Sequence, residues 1–273
     1  MPRVGFIGLG SQGAPMARRI IEAGFPATLW ARRAETLAPF ADTAAEIADS
    51  AAGLAAAVDL ACVCVLADDD VNQVVAGPGG LLAGMRPGGV IVVHSTVHPE
   101  TCVALAGQAA ERDVAIIDAP VSGGAPAAEQ GRLLVMAGGD RGAVERARPV
   151  FAAYGDPVVH LGPVGAGQRA KLINNLLLAA NLGVAESAFK LAAGLDLDLR
   201  RLAEVLAHGS GTSYGATLVG GAGFSLRAMS GPVGTLLQKD VRILAGLAES
   251  ADLKPGTVLE AADAALESLG RPR

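Results

Sequence analysis

The chain has 273 residues, of which 51% are hydrophobic and 18% charged, with a net charge of −5. That length suits one large domain or two ordinary ones, and the apolar share can fill a sizeable core. The acidic balance argues against a nucleic-acid function, which rests on a basic face, and leaves room for a local anion site.

Residues 1–8 run directly into an apolar segment and lack a signal-peptide layout. β-rich runs at 4–7, 28–30, 60–66, 90–93, 115–118, 133–137 and 158–161 predict strands, and helical patterns over 12–23, 99–112 and 140–152 lie between them. This alternation predicts an α/β fold with a mostly parallel, doubly wound sheet covered by helices. After Gly162-Pro163 the β pattern stops. Residues 167–194, 196–207, 232–249 and a stretch near 256–268 predict helices, with 209–223 as a Gly/Ser/Thr-rich connection. A domain boundary is therefore expected near 162–165, dividing the chain into 1–162 and 163–273. The apolar stretch 172–195 is long enough to span a membrane. However, Asn174, Asn175, Asn181, Glu186 and Lys190 interrupt it, and such groups are costly in lipid. A buried helix at a domain or subunit interface is expected, with no membrane partner. Cys62, Cys64 and Cys102 show neither metal nor disulfide spacing, which fits a reducing cytoplasm.

Gly8-Leu9-Gly10-Ser11-Gln12-Gly13 follows the first strand and opens a helix. Glycines at these points allow a tight turn, close backbone approach to a pyrophosphate, and close helix–strand contact. The helix N-terminus then offers N–H groups and a positive dipole end to phosphates. A dinucleotide site is expected; a plain glycine-rich turn is the competing reading. The second strand ends at Trp30-Ala31-Arg32-Arg33, where NAD-selective sites carry an acidic residue for the ribose 2′-hydroxyl. Arginine suits a 2′-phosphate, so NADP is expected over NAD, which remains an alternative cofactor. Arg32 is the first candidate contact and Arg33 the second, unless both are solvated surface charges.

Lys171 and Asn175 stand four residues apart at the start of the long apolar helix, on one face. Among Leu172, Ile173, Leu176, Leu177 and Leu178, a lysine loses hydration, which lowers its pKa and suits proton transfer near neutrality. The other reading is a lysine snorkelling to water. Ser122-Gly123-Gly124 follows a strand and offers a hydroxyl and backbone N–H groups to an anion. Ser95-Thr96 follows another and offers two hydroxyls. His94, His98, His160 and His208 show no metal spacing, and no metal is expected. Asp68-Asp69-Asp70 reads as helix capping, and Glu186 with Lys190 as an ordinary i,i+4 pair.

Four ordered motifs together resemble the β-hydroxyacid dehydrogenase family, which includes 3-hydroxyisobutyrate dehydrogenase and tartronate semialdehyde reductase. They are residues 7–17, residues 118–125, residues 165–171 with Asn175, and Gln238-Lys239-Asp240. The resemblance implies a Rossmann domain joined by a long helix to an all-α domain that takes part in substrate binding and in dimers or tetramers. It implies reversible hydride transfer between a nicotinamide cofactor and a small 3-hydroxyacid or semialdehyde. Lys171 would be the general acid/base, Asn175 would orient substrate or lysine, and Ser122, Gly123 and Gly124 would hold a carboxylate. Thr96 would meet the nicotinamide ribose, Leu66 and Ala67 would lie beside the dinucleotide, and Lys239 would reach cofactor and substrate. Gln12, His94 and Pro232 depart from the family's usual Met, acidic residue and Phe, which bears on substrate identity. An imine reductase on the same fold is the first alternative. Lys171 argues against it, because those enzymes commonly carry Asp or Tyr there. A nucleotide-binding scaffold without turnover is the second.

Overall fold

The computed structural model describes residues 1–229 and 231–273. The side chain of Pro232, expected to border a substrate pocket, lies outside the described residues. The chain divides into two compact units, Met1–Lys171 and Leu172–Arg273.

In the first unit nine strands form one sheet: β1 (Val4–Ile7), β2 (Ala27–Trp30), β3 (Glu46–Ile47), β4 (Leu60–Val63), β5 (Val90–Val93), β6 (Ala115–Asp118), β7 (Val121–Ser122), β8 (Leu133–Gly138) and β9 (Gly155–Gly162). The order is β3-β2-β1-β4-β5-β6-β8-β7, with β9 beside β8. Pairing is parallel from β3 through β6, β8 runs antiparallel to β6 and β7, and β9 runs parallel to β8. The chain therefore winds outward from β1 to β3 and then restarts on the other side at β4. That reversal makes a crevice at the carboxyl ends of β1 and β4, the ligand position of open α/β sheets.

The strands are apolar throughout because both sheet faces are covered. Successive side chains alternate between two cores. Val4, Phe6, Leu60, Cys62, Val90 and Val92 enter one, and Ile7, Ala61, Val63, Ile91 and Val93 the other. Each fully buried side chain of this size contributes about 1.5–3 kcal/mol. The covering helices are α1 (Gly13–Glu22), α2 (Ala51–Ala57), α3 (Asp68–Val75), α4 (Leu81–Gly84), α5 (Pro99–Ala110), α6 (Gly124–Glu129) and α7 (Arg141–Phe151). Side-chain caps start several of them: Ser50 Oγ accepts from Gly53 N at 3.0 Å, and Asp140 Oδ1 from Ala143 N at 2.9 Å.

Two expectations need correction here. The strand expected over 60–66 stops at Val63, because the Val65 N–H donates to Ser95 Oγ instead of to a neighbouring strand. Asp68 does not cap its own helix, whose N-cap is Ala67. Its Oδ1 accepts from His98 N and Thr101 Oγ1 at the start of α5. The short helices α2, α4 and α6 had no separate expectation.

The second unit holds most of α8 (Ala166–Gly194), then α9 (Leu199–His208), α10 (Tyr214–Gly221), α11 (Pro232–Ser250) and α12 (Thr257–Ser268). By length and composition α8 could cross a membrane. Here Leu176, Ala179, Leu182 and Phe189 are buried in the core of the helical unit, with Val219, Leu226, Val241 and Leu266. The expected connection over 209–223 contains α10, capped by Ser213 Oγ accepting from Ala216 N at 3.0 Å. Glu186 is more than an ordinary i,i+4 partner. It is buried and also accepts from Leu226 N and the Ser268 hydroxyl. Burial opposes its charge, but these donors and Lys190 hold its carboxyl down at about 2.

Candidate active site

The glycine loop lies at the carboxyl end of β1. Gly8 has φ +95° and faces the Cys64 carbonyl so closely that no Cβ would fit. Gly13 likewise abuts the Gly8 carbonyl, whereas a Cβ on Gly10 would meet nothing within 4 Å. Two glycines thus bring helix and strand together, and the middle one leaves backbone open before the N-terminus of α1. This is the cradle a pyrophosphate requires, so the residues fit a dinucleotide. A cavity of about 620 Å³ opens beside it, lined by Gly8, Leu9, Gly10, Arg32, Arg33 and Leu66 together with Trp30, Ser50 and Asp70. Ser11, Gln12, Gly13, Ala67 and Thr96 are not among its lining residues. Gly13 is buried, Ser11 is exposed, and the Gln12 side chain turns to Met16 Sδ at 3.6 Å. Arg32 is 81% exposed, with its guanidinium 3.5 Å from Asp70 Oδ1, and Arg33 lies 3.9 Å from Glu35.

A second grouping joins the ends of β5 and β6 to the first turn of α8. Asp118 is fully buried, and its two carboxylate oxygens accept from Gly165 N and Gln168 N, each at 2.7 Å. The Gln168 side chain, also fully buried, donates to the Ser95 carbonyl at 2.8 Å and accepts from Val97 N at 3.1 Å. Burial pushes Asp118 up to about 6, against the pull of the two N–H groups and Arg169. Lys171, three residues beyond Gln168, is half-buried, as is Thr96. Leu172 beside Lys171 is buried, but Ile173 and Leu177 are 57% and 52% exposed, so the apolar neighbours expected to enclose the lysine do not all do so. Ser122 ends β7, opposite Leu134 of β8, and Gly123 and Gly124 follow with φ +128° and +70°, both exposed.

His94, at the end of β5, is buried. Its Nδ1 lies 2.6 Å from the Ala119 carbonyl and its Nε2 3.0 Å from the Tyr154 hydroxyl. A neutral ring satisfies both, donating from Nδ1 and accepting at Nε2. Burial holds its pKa down at about 4. Among the described residues no group of three or more His, Cys, Asp or Glu is disposed to hold a metal ion.

A third grouping lies within the helical unit. Asn175, nearly buried, donates from Nδ2 to Asp240 Oδ2 at 2.6 Å and accepts from Asn174 Nδ2 at 3.1 Å. Lys239 Nζ lies 3.0 Å from the other oxygen of Asp240 as an ion pair, without hydrogen-bond geometry. The Asn175 amide and the Lys239 ammonium therefore share one buried carboxylate.

Sequence reasoning placed Gln168, Asp118 and Asp240 within motifs without giving any of them a role of its own, and read Asp70 as helix capping. Two of them carried a readable signal. Gln168 stands three residues before Lys171, on the same side of the helix, and Asp118 is a charge closing an apolar strand.

Residues 3–162 match the family of the NAD binding domain of 6-phosphogluconate dehydrogenase. Residues 165–271 match the family described as NAD-binding of NADP-dependent 3-hydroxyisobutyrate dehydrogenase. An uncharacterized oxidoreductase of Mycobacterium tuberculosis is 39% identical over 215 residues, 79% of this chain and 72% of the relative. The NAD-dependent L-serine dehydrogenase of Pseudomonas aeruginosa is 35% identical over 215 residues, 78% of this chain and 72% of the relative. The structure of Mycobacterium tuberculosis 3-hydroxyisobutyrate dehydrogenase with L-serine is similar with a TM-score of 0.86 and 26% identity, over 98% of this chain and 93% of that one. An imine reductase from Pseudomonas has a TM-score of 0.67 over 94% of this chain and 90% of its own, but at 16% identity it shares the fold alone. Two family matches in chain order and relatives of this identity lead to one conclusion: the chain belongs to the β-hydroxyacid dehydrogenase family and is an NAD(P)-dependent hydroxyacid dehydrogenase.

Proposed function

We propose that the chain interconverts a small 3-hydroxyacid and its semialdehyde with NADP(H), using Lys171 as general acid/base. The observation that carries this reading is Lys171 itself. It is half-buried, one turn beyond a helix start that buried bonds tie to the Ser95 and Asp118 segments. The substrates named for relatives, L-serine and 3-hydroxyisobutyrate, both carry a carboxylate and a hydroxyl on the β-carbon.

When bound, the nicotinamide supplies or accepts the hydride at that carbon. The chain's own residues bind, orient and move the proton. The Gly8-Leu9-Gly10-Ser11-Gln12-Gly13 loop receives the pyrophosphate at the start of α1. Arg32, with Arg33 second, receives the 2′-phosphate, which favours NADP over NAD. Leu66 and Ala67 flank the dinucleotide, and Thr96 meets the ribose on the nicotinamide side. Ser122 with Gly123 and Gly124 holds the substrate carboxylate. In reduction the Lys171 ammonium donates its proton to the carbonyl oxygen and stabilises the developing negative charge. In oxidation the neutral amine takes the hydroxyl proton. Asn175 orients the substrate oxygen or the lysine, and Lys239 supplies a second cation. Residues 1–162 thus bind the cofactor, and residues 163–273 serve substrate binding and association into a homodimer or homotetramer, in the cytoplasm.

The test is Lys171→Ala in the full chain, assayed with 3-hydroxyisobutyrate, L-serine, glycerate, 4-hydroxybutyrate and threonate. Loss of a positioned acid/base costs about 10²–10⁴-fold, so turnover should fall by at least that range while NADPH still quenches or shifts protein fluorescence on binding. Retained turnover overturns the assignment.

A further inference from the structure

The polar cross-link at the start of α8 has a geometry that packing alone does not require. A buried glutamine in a helix costs free energy unless its amide is satisfied, and an apolar side chain of the same length would fill the space. The Gln168 amide is satisfied by two backbone groups that bracket a single residue. It donates to the carbonyl of Ser95 at 2.8 Å and accepts from the N–H of Val97 at 3.1 Å. Between those two residues stands Thr96. The main-chain N–H of Gln168 meets Asp118 Oδ2, and Gly165 N meets Oδ1, both at 2.7 Å. Gly167 closes the contact: a Cβ there would lie 2.8 Å from the Asp118 carbonyl and would strike the Met136 carbonyl. The first turn of α8 is therefore fixed to β6 by sterics and by hydrogen bonds to a carboxylate. Ser95 in turn accepts from Val65 N at 2.8 Å, which ties in the segment after β4. Lys171 follows Gln168 by three residues, so both project from one side of the helix within one turn.

We infer that Gln168 is a positioning residue that, with Asp118, fixes the backbone on both sides of Thr96 to the helical turn bearing Lys171, setting the spacing between ribose contact and proton donor. The inference rests on the roles proposed above for Lys171 and Thr96. Near-attack geometry tolerates little displacement, and a misplacement of about 1 Å costs on the order of 10²-fold. Loosening the Gln168 amide therefore lowers turnover without removing any group that touches cofactor or substrate.

The test compares Gln168→Met and Gln168→Glu with the unaltered chain. Methionine keeps the volume and loses both hydrogen bonds. It should lower kcat about tenfold to hundredfold and raise the primary isotope effect with substrate deuterated at the β-carbon. Amide exchange in the peptide spanning 95–97 should quicken, with NADPH affinity changed by less than about threefold. Glutamic acid adds a pH signature. Ionised, it faces the Ser95 carbonyl with a second acceptor; protonated, it can donate to Ser95 and accept from Val97 as glutamine does. Burial raises its pKa, so the kcat ratio of Gln168→Glu to the parent should climb as pH falls from 8 to 6. The ratio for Gln168→Met should stay flat. If Gln168→Met does not fold, the Glu profile decides alone. Parental kcat and isotope effect in Gln168→Met, or a flat ratio in Gln168→Glu, overturns the inference. Retained turnover in Lys171→Ala overturns the acid/base reading instead. In that case the amide exchange of 95–97 still reports whether Gln168 holds the segment, and unchanged exchange in Gln168→Met overturns that too.

Discussion

Asp118 and Asp240 are the same residue type at nearly the same burial, 0% and 2% exposed, one in each unit, and they do different work. Asp118 meets backbone N–H groups of Gly165 and Gln168. Those donors come with the fold and cannot be removed by side-chain change. Asp240 meets the side chains of Asn175 and Lys239, residues to which the proposed mechanism assigns chemistry. A buried carboxylate answered by main chain anchors architecture, and one answered by side chains orients those side chains. With no full positive charge hydrogen-bonded to it, Asp118 is dominated by burial and rises to about 6.

Asp240→Asn tests the comparison most severely. It keeps the size, lets one oxygen still accept from Asn175, and removes the charge facing Lys239. Losing the charge weakens the charge-assisted bond from Asn175 and removes the buried ion pair with Lys239, so kcat/KM should fall about thirtyfold to hundredfold. Lys239 keeps 28% side-chain exposure and can recover water, so Tm should drop by less than about 4 °C. Steady-state kinetics and thermal melts on the same preparation decide. A large fall in Tm with kcat/KM preserved would make Asp240 an architectural anchor like Asp118, and the distinction would collapse.

The next effect is smaller and concerns pH. Asp118 has its folded pKa raised from 3.8 to about 6, so the native state holds the extra proton between those values. Its contribution to stability is fully present below the unfolded pKa and declines as pH rises through 6. His94 has its folded pKa lowered from 6.5 to about 4. Here the unfolded state holds the extra proton, so stability rises with pH over the same span. Each term amounts to about 1.5 kcal/mol between pH 4.5 and 6, and they oppose. In urea melts, Asp118→Asn should therefore make stability climb with pH across this window by about that amount relative to the parent. His94→Phe should make it decline. Glu186, held at about 2, loses its contribution only below its unfolded pKa of 4.5, outside the window. Parallel pH profiles for parent and both variants would show that neither buried group titrates as its surroundings dictate.

Local chemistry was legible and long-range pairing was not. The glycine loop and the strands β1, β2, β4, β5 and β6 follow from patterns of a few residues: a short β-rich apolar run and a turn requirement. The Gln168 amide meets partners 71 and 73 residues away, and Asn175 meets Asp240 across 65. No periodicity encodes such pairs. The segment over 209–223 read as a connection because Gly and Ser dominate it, yet Ser213 is a cap and α10 follows. Strands β3 and β7, two residues each, are too short to alternate visibly. Leu172, Ile173, Leu176 and Leu177 of α8 are equally apolar, so the sequence could not say that Ile173 and Leu177 face outward while Leu172 and Leu176 are buried.

A third carboxylate carries the comparison into solvent, where the smallest effect is expected. Asp70 and Arg32 face each other at 3.5 Å, with 30% and 81% side-chain exposure, and both line the cavity beside the glycine loop. A pair this exposed is worth about 0–1 kcal/mol, so it anchors nothing, and Arg32 can be drawn away by a stronger partner. On the proposed NADP reading a 2′-phosphate is one, offering bidentate, charge-assisted bonds to a guanidinium, and it would approach past the charge of Asp70. Arg32→Ala should lower the ratio of NADPH to NADH kcat/KM about tenfold, the worth of one such contact. Asp70→Asn should raise that ratio about threefold by removing the competing acceptor and its repulsion. Thermal stability should shift in neither variant beyond about 2 °C. An unchanged ratio in Arg32→Ala would return Arg32 to the solvated surface charge its exposure also allows. A raised ratio in Asp70→Asn beside it would then have to come from the field of Asp70 alone, acting on the 2′-phosphate without the arginine.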